Sequence, residues 1–245
     1  MLITPFVLAQ PIEDAAADAI RRGDLQAALA QIAAGVEALV ARADLAGRSL
    51  YLPLLDQYLA EVSDALVARE CAGALAAGNG CDLVIATETY ATGGHTRVIE
   101  DLCRHLERPV VLLTDLFGRI GSGALPLDYL HRAAGAAGVI VLPPGPLLGK
   151  VVNLLRTVQQ LAPRRIAYLT HHQDPIAFAA LGGARVRIPS LFIHHADHNP
   201  DALNSKGTNF RFANNFESFF ECSSIRRINE AINRAEAYQS KKAVS

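Results

Sequence analysis

The sequence predicts an α/β protein: a doubly wound, mainly parallel, five-stranded Rossmann-like sheet with an N-terminal helical hairpin. From Cys81 onward, short apolar runs alternate with amphipathic stretches, and this alternation is typical of a parallel sheet with right-handed crossovers. The runs are continuously apolar, as expected of strands that are buried on both faces.

Composition indicates a packed core and excludes several classes of function. Hydrophobic residues make up 51% of the 245 positions and charged residues 19%, which argues against disorder. A net charge of −1 without a basic run gives no electrostatic attraction for nucleic acid. We expect no export signal and no transmembrane segment, because the first residues lack a basic region and the longest apolar run, 133–149, carries three prolines. The four cysteines show no CxxC spacing, so we expect buried thiols and a cytoplasmic location.

Three regions differ in composition: residues 1–80 are helical, 81–200 form the Rossmann-like domain, and 201–245 are an atypical tail. In the first region two sets of residues at helical spacing predict the hairpin, and Gly47 separates them. One set is Leu25, Leu29, Ile32, Val36 and Leu39; the other is Tyr51, Leu55, Tyr58, Val62 and Leu66.

Strands and helices alternate through the second region. The apolar runs predict strands at 82–87, 109–114, 138–142, 165–170 and 190–194, and helix-like stretches lie near 95–107, 125–137, 147–161 and 175–181. Beyond residue 201 the composition shifts towards Asn, Ser, Phe and Lys, with a short helix expected at 224–239. This tail is either a natural appended segment or the product of a fusion or frame change.

Polar side chains follow four of the predicted strands. Ligands of open α/β sheets bind outside the carboxyl ends of the strands, where the strand order reverses. The sequence therefore predicts a cleft lined by residues that come directly after strands: Glu88, Asp115, His171, His172, His194 and His195.

The loop after the first of these strands contains Gly93-Gly94 immediately before a predicted helix. Paired glycines let the backbone approach a ligand, and a helix start favours an anion such as phosphate. A tight turn capped by Thr92, with no ligand, is the alternative. The loop lacks G-x-G-x-x-G, which disfavours a nicotinamide cofactor.

The pattern His-His-x-Asp occurs at 171–174 and again at 194–197. A neutral imidazole in a cleft can act as a general base near pH 7 or hydrogen-bond a ligand. Asp174 directly precedes Pro175, which is typical of a helix N-cap. His194, Asp197 and His198 could alternatively supply zinc ligands, which would indicate a metal-dependent hydrolase.

The segment TGGHTRVIEDLCRHLERPVVLLT resembles the first strand, loop, helix and next strand of GT-B glycosyltransferases. HHQD and FIHHADHNP, after later strands, resemble bacterial sugar transferases of the surface-polysaccharide type. The resemblance covers residues 81–200. It implies transfer of a hexose from a nucleotide-sugar to a saccharide or lipid-linked acceptor, with no required metal or cofactor. It places Gly93 and Gly94 near the donor phosphates and offers His95, His171 and His195 as groups that contact the sugar or the acceptor. These three histidines are the catalytic candidates, although recognition is favoured over catalysis because no nucleophile or triad spacing accompanies them. Further candidate substrate contacts at the predicted cleft are Glu88, Thr96, Asp115, His172 and His194.

The sequence departs from the GT-B pattern in one respect. Such enzymes have a second Rossmann-like domain that binds the nucleotide-sugar, often with an E-x7-E motif, and no two glutamates here are eight positions apart. The resemblance therefore implies a truncated, acceptor-side half that is inactive alone and needs a second Rossmann-like domain or subunit. A non-catalytic interaction module, whose helical hairpin recruits such a partner, is a further alternative.

Overall fold

The computed structural model describes residues 5–42, 52–90, 94–123, 138–171, 173–193 and 218–219. The N-terminal region contains three helices, α1 (Pro5–Arg21), α2 (Leu25–Val40) and α3 (Pro53–Glu70). The predicted helix pair is present as α2 and α3, but α2 packs mainly against α1, which the sequence analysis did not identify. Helix α1 contains Pro11 in its interior, and in a sequence an interior proline normally indicates the end of a helix or a kink.

Close packing joins α1 to α2. Asp24 begins α2 by accepting the N–H of Ala27. At Gly35 the two helices approach so closely that a Cβ atom there would lie 2.6 Å from the Ile12 side chain. The glycine is therefore needed for the contact between the helices.

The described strands form one large parallel sheet and one small sheet. In chain order they are β1 (Leu75–Ala76), β2 (Asp82–Ala86), β3 (Pro109–Leu113), β4 (Gly138–Val141), β5 (Arg165–Leu169), β6 (Val186–Arg187), β7 (Ser190–Ile193) and β8 (Ser218–Phe219). Strands β2, β3, β4, β5 and β7 confirm the five predicted strands, and each of their pairings is parallel. The short β8 adds a sixth strand beside β7, while β1 and β6 pair separately. These two-residue strands are too short to produce a recognisable sequence period.

The order of strands in the large sheet is β4-β3-β2-β5-β7-β8. The chain therefore winds outward from β2 to β4, crosses back to β5, and winds outward in the other direction. The strand order reverses between β2 and β5. In doubly wound folds this is the position at which ligands bind.

Helices cover both faces of the large sheet. Helix α4 (Gly94–His105) packs on one face, where Ile99 and Leu102 meet Val84 and Ala86. Helices α5 (Leu147–Leu161) and α6 (Ile176–Leu181) belong to the core on the opposite face, with α1, α2 and α3. The helices expected at 125–137 and 224–239 lie outside the described residues. Within the described residues, no helix combines the length and apolar character needed to cross a bilayer.

Candidate functional site

Polar side chains meet where the strand order reverses. Ala86 of β2 pairs with Leu169 of β5, so the residues that follow these strands become neighbours. Three of them form a hydrogen-bonded chain. The Tyr90 hydroxyl donates to Glu88 Oε1 at 2.5 Å, and His171 Nε2 lies 3.0 Å from the same hydroxyl oxygen.

Glu88 also forms an ion pair with the guanidinium of Arg119. Its side chain is fully buried, and the Arg119 Nε–H donates to Glu88 Oε2 at 2.9 Å, while Nη2 contacts Oε1. A carboxylate held in this two-pronged way can only accept hydrogen bonds. Glu88, held by Arg119, is therefore the final acceptor of the hydrogen-bonded chain from His171 through Tyr90.

This arrangement fixes the proton on one nitrogen of His171. Because Tyr90 gives its only proton to Glu88, its oxygen accepts from His171 Nε2–H, and in the neutral ring Nδ1 carries the lone pair. Burial raises the pKa of Tyr90 to about 12, so the phenol remains a proton donor at neutral pH. The site thus orients an imidazole that is able to accept a proton.

His95 and Thr96 hold the same loop from α4. His95 Nε2 lies 3.1 Å from the backbone oxygen of Glu88, and since a carbonyl only accepts, this nitrogen carries a proton. The Thr96 hydroxyl accepts the Tyr90 N–H at 2.7 Å. The His95 and His171 rings are 5.7 Å apart. The helix therefore fixes both the backbone and the ring environment of Tyr90.

The loop after β3 brings Phe117 and Arg119 to the cluster. Asp115, with a φ of +47°, closes the loop because its carboxylate accepts the N–H groups of Ile120 at 2.9 Å and Gly121 at 3.0 Å. The Phe117 ring is 39% exposed and lies 5.8 Å from the His171 ring and 5.3 Å from the Arg119 guanidinium. Asp115 thus shapes the loop, and Phe117 provides an apolar surface at the edge of the cluster.

Asp174 fastens three elements beneath the site. One of its oxygens, Oδ2, accepts the hydroxyls of Thr87 after β2, at 2.7 Å, and Thr114 after β3, at 2.5 Å. Oδ1 accepts the N–H of Ile176 at 3.0 Å. Asp174 was predicted to be the N-cap of this helix, but α6 begins at Ile176 and its N-cap is Pro175, so the carboxylate bonds the start of the helix from one position earlier. The Thr87 hydroxyl in turn accepts the N–H of His171 at 2.8 Å. Asp174 therefore helps to position the backbone of His171.

Lys150 points inward from the first turn of α5. Its Nζ is buried and donates to the carbonyl oxygens of Thr114 at 2.8 Å and Asp115 at 2.7 Å. Burial lowers the pKa of Lys150, against the opposite effect of Asp115 and Asp174. Burial also raises the pKa of Asp174, against the hydrogen bonds from Thr114, Thr87 and Ile176 and the charge of Lys150.

Two buried hydroxyl groups at this edge have no hydrogen-bond partner among the described residues. Thr89 and Thr170, which come after β2 and β5, are 1% and 3% exposed, and their Oγ1 atoms make no hydrogen bond in the part of the chain that is described. Buried polar atoms in native proteins are almost always satisfied by protein, ligand or water. These hydroxyls are consistent with a ligand or water that completes the site.

The structure brings several predicted site residues together. Glu88, His95, Thr96 and His171 form one cluster, Asp115 shapes its border, and Gly94 begins α4. The other predicted site residues lie outside the described residues: Gly93, His172, His194, His195, Asp197 and His198. The alternative of a zinc site at His194, Asp197 and His198 stays a prediction. In the described ranges no group of His, Cys, Asp or Glu side chains could hold a metal ion.

Sequence reasoning missed Tyr90, Phe117, Arg119 and Lys150. Tyr90 stands two residues after Glu88 and could have been included with it. Arg119 and Phe117 carry no local signal, because their partners are about 30 residues or more away in sequence. Lys150 lies in the first turn of α5, and nothing in the local sequence indicates that its side chain turns inward.

A separate groove lies between the helices. It has a volume of about 490 Å³, and its lining includes Gln26, Arg69, Glu70 and Arg156. Both arginines bind Glu70, at 2.9 and 2.7 Å, so the carboxylate already partly neutralises them. The charged side chains of the groove are therefore engaged with one another, whereas the edge between β2 and β5 holds an oriented imidazole.

Comparisons with protein-family models, with curated proteins and with solved structures find no match to this chain. What the site can bind therefore follows from its own geometry and chemistry.

Proposed function

We propose that this chain is the acceptor-side half of a GT-B-type glycosyltransferase. In this proposal it binds a saccharide or lipid-linked acceptor at the carboxyl ends of β2 and β5. A second Rossmann-like domain or subunit supplies the nucleotide-sugar. The observation that carries the proposal is the orientation of His171 by Tyr90 and Glu88 at the reversal of strand order.

The oriented imidazole suits the chemistry of glycosyl transfer. As an acceptor hydroxyl attacks the anomeric carbon of the donor, its proton passes to His171 Nδ1. The bond from that carbon to the nucleotide diphosphate breaks, and the diphosphate leaves with the electron pair. A positioned general base of this kind contributes roughly 10²–10⁴-fold to a rate.

The hydrogen-bonded chain supports the charge that forms. When His171 gains a proton, its Nε2–H bond to Tyr90 strengthens, and Tyr90 in turn donates more strongly to the carboxylate of Glu88. Chains of hydrogen bonds polarise one another in this way in a low-dielectric interior. None of these steps needs a metal or an organic cofactor.

Two further features agree with the proposal. The segment from Thr92 to Thr114 resembles the N-terminal domain of GT-B enzymes. The parallel sheet has the doubly wound strand order in which ligands bind at the reversal point. Neither feature names the sugar.

Binding of saccharides to the purified chain tests the proposal. Saturation-transfer NMR with methyl glycosides of glucose, galactose and mannose, and with UDP-glucose, is expected to detect weak binding of at least one glycoside. His171→Ala should weaken that binding roughly tenfold, the scale of one lost hydrogen bond to a charged or polar group. His105→Ala is the matched control, because this exposed histidine on α4 bonds its own helix, at Asp101 O, and no other residue of the described ranges. The proposal fails if no glycoside binds or if the two variants behave alike.

Transfer assays test the claim that the chain is one half of an enzyme. The chain, a nucleotide-sugar and a bound glycoside are expected to give no product over many hours. Repeated turnovers by the chain alone would show that it carries its own donor site and would overturn this part of the proposal.

A further inference from the structure

We infer that the saccharide bound at this site is uncharged and lays an apolar pyranose face on Phe117. The inference rests on the proposed function and adds the class of sugar. It is carried by an exposed aromatic ring, by the balance of charges around it, and by two buried hydroxyls that have no hydrogen-bond partner among the described residues.

The Phe117 ring is fixed in position and is also accessible to a ligand. In the described ranges two large hydrophobic residues are exposed, Phe117 and Leu54. His171 and Arg119 flank the Phe117 ring at 5.8 and 5.3 Å, so the ring is fixed on one side while 39% of the residue remains accessible. A pyranose presents C–H groups on one face, and an apolar aromatic surface beside polar groups suits that face.

The charges at this edge disfavour an anionic ligand. In the described part of the chain the edge carries three carboxyl groups, Glu88, Asp115 and Asp174, against two cations, Arg119 and Lys150. Arg119 is already bound to both oxygens of Glu88, and Lys150 is buried against two backbone carbonyls. Among the described residues of this cluster, both cations are therefore already engaged by protein groups and neither is turned towards a uronate or a phosphate.

The unpartnered hydroxyls suit a ligand rich in hydroxyl groups. Thr89 Oγ1 and Thr170 Oγ1 are buried and have no hydrogen-bond partner among the described residues. A threonine hydroxyl both donates and accepts, as a sugar hydroxyl does. The two threonines follow β2 and β5, as Glu88 and His171 do.

Matched pairs of sugars test the inference without any variant. Each neutral methyl glycoside is compared with the glycoside that differs only by a carboxylate at C6, such as methyl glucoside with methyl glucuronide. Titration calorimetry on the full chain is expected to show the neutral member binding roughly tenfold more tightly, since like charges brought together oppose binding. Equal or tighter binding of the uronates would overturn the inference even if the proposed function holds.

Variants separate the two parts of the inference. Phe117→Ala should weaken the neutral glycoside about fivefold to tenfold, whereas Leu54→Ala, which removes the other exposed hydrophobic side chain, should leave it unchanged. Glu88→Gln frees the Arg119 cation and should improve binding of the glucuronide roughly tenfold relative to the glucoside, with folding checked by circular dichroism. Binding that is indifferent to Phe117 would overturn the stacking role. If wild-type protein binds no glycoside at all, the proposed function fails together with the inference.

Discussion

Removal of the Asp174 carboxylate is expected to destabilise the whole carboxyl edge of the sheet. The side chain is fully buried and is the acceptor for the Thr87 hydroxyl, the Thr114 hydroxyl and the Ile176 N–H. An orphaned buried donor costs about 1–3 kcal/mol. The two hydroxyls can rotate in search of other acceptors, whereas the backbone N–H cannot.

For Asp174→Ala we therefore expect a loss of about 3–5 kcal/mol in the free energy of unfolding, the range found when one partner of a buried charged network is removed. In a domain of this size the Tm should fall by about 6–20 °C. Asp174→Asn keeps the shape and some acceptor capacity, so its loss should be about 1–3 kcal/mol. Urea titrations followed by circular dichroism measure both values. Asp101→Ala is the matched control, because this half-exposed aspartate on α4 pairs only at the surface and should cost less than about 1 kcal/mol.

The pH dependence gives a second measurement on Asp174. Burial raises its pKa in the folded protein above the ordinary value of 3.8, so the folded state binds more protons than the unfolded state just above that pH. Its contribution to stability is full below pH 3.8 and falls as the pH rises through the folded pKa. The advantage of wild type over Asp174→Asn should therefore shrink from pH 4 to pH 7. An Asp174→Ala protein within 1 kcal/mol of wild type would refute the bonding scheme. An advantage of wild type over Asp174→Asn that grows with pH would contradict the raised pKa of Asp174.

Two other sites give predictions of the same kind. Gly35→Ala should destabilise the protein by about 1–2 kcal/mol in thermal melts, because the new Cβ would lie 2.6 Å from the Ile12 side chain. This overpacking outweighs the gain in helix propensity of about 1 kcal/mol. A stabilised variant would contradict the packing of α1 on α2. At the amino ends of β2 and β5, burial tends to raise the pKa of Asp82, but hydrogen bonds from Arg165, Arg164 and a backbone N–H outweigh this and lower it. Asp82 therefore stabilises the fold above its ordinary pKa of 3.8 and loses this effect as the pH falls through the folded pKa. Asp82→Asn should cost about 2–4 kcal/mol in urea titrations at pH 7 and much less at pH 2, whereas an equal cost at both pH values would contradict the ion-pair role.

The large sheet was predictable because its strands obey a simple burial rule. β2 and β7 are buried at every position, so after their polar first residues, Asp82 and Ser190, their sequences are unbroken apolar runs. Helices α4 and α5 gave equally clear amphipathic patterns. Parallel pairing then followed from the alternation of strands and helices, and the structure confirms it.

The site was predictable in position but not in composition. That polar residues would gather after β2 and β5 follows from the rule for open sheets, and Glu88 and His171 do meet there. Arg119 and Phe117 join them only through the folding of a separate loop around Asp115, and a single sequence has no local pattern for such a long-range contact. Lys150 shows the same limit, because a lysine in the first turn of a helix is normally solvated rather than turned inward.

One measurement addresses the central claim that the edge between β2 and β5 is the binding site. Backbone and side-chain chemical shifts of isotope-labelled protein are recorded while a neutral methyl glycoside is added. We predict that the shifts change at Tyr90, Phe117, His171 and Thr170. Changes centred on the helical groove around Arg156, or no change at all, would contradict the account.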